Sequence, residues 1–334
     1  MARKYSAKKR TNKIEPAVMT MLFQLPAGAP GVSVIDISQS ASLLNRRFYR
    51  QGINWAVAGF KVISPSGVIG SMSINKLPNT WVMSNAWEKS FRTWSRMNNE
   101  ALEENESIKP RFLDFKVFAD HSHAVAGKGA NLLPLSGSGL AATPGEWEMS
   151  KVVVPETTTA TGAVTEFELI ATGASNAGAG ASGLNSKSLI QGYAASRGLP
   201  NVLDPNTPDD AVNYGENWMM AIFNEGTLQD ATVNADMIDE NNIAPYPFEN
   251  DGVNPDTMYP GGANQLVGQE YHDSAFVTGT TIGGTTRMKG SNFPCGLVTV
   301  AHNLTLPVEG AVLLQVDLIP GNHRGYMCEP MTEM

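Results

Sequence analysis

Three arginines and two aromatic residues lie together in Asn45-Arg46-Arg47-Phe48-Tyr49-Arg50, in a chain whose formal net charge is −8. Guanidinium forks match phosphate oxygens in pairs, and aromatic faces accept unstacked bases, so the grouping suits a single-stranded nucleic acid. The same residues would serve as salt-bridged surface arginines at a subunit contact, and the two roles are compatible. A second source of positive charge stands at the N-terminus. Arg3, Lys4, Lys8, Lys9, Arg10 and Lys13 fall within the first 13 residues, with no acid among them. The chain holds 24 Lys+Arg and 32 Asp+Glu; without those six cations the remainder has 18 against 32, a net −14. A basic arm on an acidic body separates the part that seeks a polyanion from the part that stays in solution. With six phosphate contacts on a single strand, log affinity would fall against log salt with a slope of about −4. The arm carries no base-reading module, so its binding is expected to ignore sequence.

Two other groupings bear on metals. Asp120-His121-Ser122-His123 places His121 and His123 two apart, a spacing that shares a face only on a strand. No third histidine, HExxH motif or cysteine partner accompanies them, so a polar turn accounts for the segment better than a metal site. Asp236, Asp239, Glu240, Glu249, Asp251 and Asp256 form an acidic stretch dense enough in oxygen to hold calcium, but their spacing fits no EF-hand loop. A solvated acidic surface is the simpler reading. Neither a GxSxG elbow nor a GxxxxGK[ST] phosphate loop occurs, and no cofactor is expected. Cys295 and Cys328 are far apart, as ordinary core thiols are.

The elements that would hold these groups read as β. Charged residues are only 17%, while Gly reaches 32 and Pro 20, the profile of a loop-rich β protein. Strand-like runs fall at 17–25, 32–37, 54–63, 68–74, 112–119, 147–154, 164–170, 296–304 and 311–319. Pro65-Ser66-Gly67 makes 54–75 look like a hairpin. One helix is well marked, near 85–104: Asn85 and Glu88 form a capping box, Trp87, Phe91 and Trp94 share a face, and Glu88–Arg92 and Arg96–Glu100 are i,i+4 pairs. Its aromatic face reads first as core packing and second as a base-stacking platform. Residues 185–196 can form a short helix, 171–184 an exposed loop, and 198–292 long loops with short strands. No run of ~18 apolar residues occurs, so no membrane insertion is expected, and the polar arm does not resemble a secretory signal. The expected fold is all-β: a single antiparallel eight-stranded jelly roll of two packed sheets with long loops and one inserted helix. Residues 1–16 would be a disordered or extended arm. Residues 17–334 would be the jelly-roll domain, with long surface loops over about 155–290.

Four segments carry a resemblance: SLLNRRFYRQGINWAVAGFKV, NTWVMSNAWEKSFRTWSRMNNE, PRFLDFKVFAD and LLQVDLIPGNHRGYMCEPM. With the basic arm, they resemble capsid proteins of small, circular, Rep-encoding single-stranded DNA viruses, the environmentally sampled relatives of circoviruses. The arm here is shorter and richer in Lys than is usual among them. The resemblance implies a non-enzymatic, self-assembling homo-oligomer. It would form an icosahedral shell of about 60 subunits, arms inside and loops outside, found in the virion and in the host nucleus during assembly. About 60 arms would supply roughly 360 positive charges, against one negative charge per nucleotide. A genome of a few thousand nucleotides exceeds that, so Arg46, Arg47 and Arg50 are drawn in as an inner-surface DNA contact. The alternatives are a jelly-roll carbohydrate-binding or cell-attachment protein with calcium in its acidic loop, a cupin-type metalloenzyme using His121 and His123, and an RNA-virus capsid protein.

Overall fold

The computed structural model describes residues 16–103, 107, 113–155, 164–176, 185–197, 268–278, 284–305, 307 and 310–334. The six arm cations, the acidic stretch from Asp236 to Asp256, and most of the expected long-loop region lie outside the described residues.

In chain order the chain forms β1 (Thr20–Gln24), β2 (Gly31–Asp36), α1 (Ile37–Asn45), β3 (Ile53–Ile63), β4 (Gly70–Lys76) and the long helix α2 (Trp81–Glu103). Then come α3 (His121–Ala126), β5 (Lys151–Pro155), β6 (Val164–Ile170), β7 (Ser186–Ser188) and α4 (Leu189–Arg197). The closing part holds β8 (Glu270–Val277), β9 (Thr285–Phe293), β10 (Leu297–Leu304) and β11 (Leu313–Leu318). Three short strands end it: β12 (Pro320–Gly321), β13 (Gly325–Tyr326) and β14 (Cys328–Pro330).

The first four strands pair antiparallel with four from the end of the chain: β1 with β11, β2 with β10, β3 with β9 and β4 with β8. Pairings of β11 with β3 and of β10 with β4 then join them into two sheets, ordered β1-β11-β3-β9 and β2-β10-β4-β8. β14 extends the first sheet along the start of β3. This folded-ribbon topology is an eight-stranded jelly roll. Its core lies between the sheets. Met21 and Phe23 of β1, Trp55, Val57, Phe60 and Val62 of β3, Met72 and Ile74 of β4, Val298 and Val300 of β10, and Leu314 and Val316 of β11 all point inward and are buried. Each such side chain contributes roughly 1.5–3 kcal/mol by leaving water.

Residues 77–269 intervene between β4 and β8. Their described part folds back over the second sheet and the C-terminus. Leu77, Trp81, Val82, Trp87, Trp94, Phe115, Val117, Leu169, Leu189 and Ile190 build a second core that also takes in Val34 of β2, Leu297 of β10 and Met331. β5, β6 and β7 form a small separate sheet within it.

Several details differ from the sequence reading. The expected 54–75 hairpin is not one, because β3 and β4 belong to opposite sheets. A Pro-Ser-Gly turn reverses the chain without deciding which sheet receives it. Within 112–119 the described residues 113–119 form no strand and make an isolated bridge, Phe118 to Ile170. β8 and β9 were not singled out, yet they complete the roll. The strands expected at 147–154 and 164–170 lie instead in the small sheet as β5 and β6. The long helix starts at Trp81, not Asn85: Met83 N donates to Thr80 Oγ1 at 3.4 Å, so Thr80 caps it. Glu88–Arg92 and Arg96–Glu100 form their i,i+4 pairs, the latter at 2.8 Å.

Candidate nucleic-acid interface

Asn45 ends α1, and Arg46 caps it in the left-handed conformation at φ 55°. The chain then leaves the helix, so Arg46, Arg47 and Arg50 are exposed while Tyr49 is fully buried against Trp55 and Tyr326. The aromatics of the motif therefore divide. Tyr49 is a core anchor, and Phe48 stays partly exposed beside the cations.

A ring of hydrogen bonds ties this segment to the root of the arm. Val18 N donates to Asn45 Oδ1 at 2.9 Å, Asn45 Nδ2 donates to Tyr326 Oη at 2.7 Å, and the Tyr326 hydroxyl donates to Val18 O at 2.7 Å. Burial holds the Tyr326 phenol in its protonated form, its pKa pushed up to about 12. The point where the chain emerges from residues 1–15 is thus fixed next to Arg46 and Arg47.

A fourth cation joins from the other end of the sequence. His323 and Tyr326 close a tight hairpin through mutual backbone bonds of 3.0 and 3.1 Å. The two residues between them, Arg324 and Gly325, both have positive φ, at 52° and 106°. Such a two-residue loop puts Arg324 at its tip, exposed. Arg324 Nη1 donates to Phe48 O, and Tyr49 Oη donates to Arg324 O at 3.0 Å. Sequence reasoning missed Arg324; the Arg-Gly pair just after Asn322-His323 was the available signal. It also missed Lys61, Arg287 and Lys289. The outward register of β3 and β9 sets Lys61 directly opposite Arg287 and Lys289 opposite Gly59. Like charges facing each other across strands repel, and Asp317, opposite Gly59 on the neighbouring β11, supplies a negative charge on the same face.

The Arg46–Arg50 segment rests on a buried polar hub. Gln51, the residue after Arg50, is completely buried. Its side-chain amide accepts from Val117 N at 2.7 Å and donates to Val117 O at 3.1 Å, so it pairs like a strand with the segment beyond α2. Gln51 N also donates to Asp114 Oδ2 at 3.2 Å. Burial raises the Asp114 carboxyl, opposed by the nearby Lys116 and Arg50 charges. Lys116 lies 4.5 Å from the Trp147 ring centre and 5.8 Å from that of Phe48.

The two histidines weighed as metal ligands are placed on α3, where a spacing of two does not share a face. His123 uses both ring nitrogens: Nδ1 accepts from Ala119 N at 3.1 Å, and Nε2 lies 2.7 Å from Asn131 Oδ1. Burial lowers its pKa, keeping it neutral. His121 Nδ1 lies 3.4 Å from Ser186 Oγ. Among the described residues no three His, Cys, Asp or Glu stand together as a metal would need. No described helix is long and apolar enough to cross a membrane. Cys295 and Cys328 are both free thiols.

No protein-family model matches the chain, and neither a curated protein nor a solved structure matches it.

Proposed function

We propose that the chain is a viral capsid protein that assembles into an icosahedral shell and holds single-stranded DNA without sequence preference, through its basic arm and the Arg46–Arg50 segment. The observation that carries this reading is the hydrogen-bonded ring of Val18, Asn45 and Tyr326. It places the arm's root beside Arg46 and Arg47 on a jelly roll, an architecture common to capsid and lectin domains. Arg324 enlarges the same cationic surface. With six arm cations and these four arginines, a shell of about 60 subunits would offer roughly 600 positive charges, which narrows the deficit left by the arms alone. The subunit acts in this reading as a structural homo-oligomer, in the virion and in the host nucleus during assembly.

Expression and electron microscopy test it. Purified protein is expected to form closed shells whose absorbance ratio shows retained nucleic acid. Smooth monomers that neither assemble nor bind single-stranded oligonucleotides would refute the reading.

A further inference from the structure

We propose that the cavity between α2 and the start of β3 receives an unstacked nucleobase, with the adjoining phosphates on Arg50 and Arg324. This rests on the nucleic-acid reading above and adds to it a base-contacting site, where the arm provides only charge. The cavity has a volume of about 590 Å3, within the rough 300–1,000 Å3 span of small-molecule pockets.

Its wall is aromatic. Trp87 and Phe91 stack with ring centres 5.2 Å apart at 11°, and Phe115 stands edge-on to Trp87 at 5.9 Å. Phe91 is only partly buried, although it sits on the helix face that buries Trp87 and Trp94. A large aromatic left half-open beside two arginines is the arrangement that stacks bases irrespective of their identity.

The floor is built for close approach. A Cβ on Gly52 would lie 2.2 Å from the Trp87 ring, so glycine there lets the indole settle against the backbone leading into β3. The two acids at the cavity are engaged by the protein. Asp114 Oδ2 accepts from Gln51 N and pairs with Lys116 at 3.7 Å, and Glu329 Oε1 accepts from Asn54 Nδ2 at 2.8 Å. Arg324 spends one of its five N–H donors on Phe48 O, and phosphate oxygens suit the rest of the fork. Through Arg324 and Tyr326, two residues apart, the cavity mouth adjoins the arm's root, so one strand can reach both.

The test compares two single strands of equal length on the full chain: an oligodeoxythymidylate and an abasic deoxyribose-phosphate oligomer. The thymidine strand is expected to bind about tenfold more tightly and to quench tryptophan fluorescence. Phe91→Ala should abolish that preference while leaving abasic binding unchanged, and Arg324→Ala should weaken both strands. Ser95→Trp, which fills the cavity from α2, gives the same loss of preference without truncating the aromatic wall. Equal, tight binding of both strands by the natural chain overturns the base site and leaves the capsid reading standing. Binding of neither overturns both. Variants that lose shells but keep the thymidine preference would make the cavity a subunit contact and overturn the proposal.

Discussion

A heavily connected side chain beneath the arginines is a carboxylate. Asp36 Oδ1 accepts from Ser38 N at 2.9 Å and Gln39 N at 3.2 Å, capping α1, and its Oδ2 accepts from Gln51 Nε2 and Trp147 Nε1, each at 3.1 Å. It links the roll to the inserted region through one residue. Complete burial raises its pKa from 3.8 to about 6 against the pull of those donors. Between these values the folded chain keeps the proton that the unfolded chain has released, so the contribution to stability is present below pH 4 and is lost as pH rises to about 6. Urea unfolding across this range should show the advantage of the natural chain over Asp36→Asn shrinking by up to about 3 kcal/mol toward pH 7. A constant gap would mean that the carboxyl is not perturbed. Tyr326→Phe removes the hydroxyl from the ring at the arm's root. It should cost about 1–2 kcal/mol and speed hydrogen exchange at the Val18 amide. Changing the exposed Arg46, Arg47 and Arg50 to Gln tests a different property: the salt slope of single-strand binding should fall by about 2.

At the level of elements, α2 was legible because its aromatic spacing and its i,i+4 ion pairs repeat with the helical period. Its start was not, since Trp81, Val82 and Met83 are buried all round and carry no amphipathic signal. β8 and β9 were illegible for the opposite reason. Their sequences, EYHDSAFV and TTRMKGSNF, put only Ala275, Val277, Met288 and Phe293 fully into the core. Strands this polar are held by their partners β4 and β3, which are far away in sequence. Six of the nine strand-like runs belong to the roll and three do not, and β8 and β9 fill the two places left. Gly290 shows how local the requirement can be: a Cβ there would fall 2.1 Å from Val57 O, where β9 passes β3. Gly52→Ala probes the other contact between elements. The added methyl must displace Trp87, so a loss of about 1–3 kcal/mol and an altered near-UV tryptophan spectrum are expected. An unchanged spectrum would show that α2 does not rely on that glycine.

For the molecule as a whole, charge is divided between the ends of one wrapped ribbon. Deleting residues 1–13 should leave folding and assembly intact while lowering retained nucleic acid and removing about 4 from the salt slope. Packaging equal to that of the full chain would assign the DNA contact to the folded body alone. The sequence by itself determined the β-rich class, the basic arm on an acidic body, the long helix and the cationic character of the Arg46–Arg50 segment, because composition, period and charge are local properties. The tertiary structure alone decided which strands share a sheet, that Arg324 stands beside Phe48, that Tyr326 pins the arm's root to Asn45, and that the aromatic face of α2 borders an open cavity. Residues separated by more than 270 positions meet there, and no local pattern records a contact made by the closure of a roll.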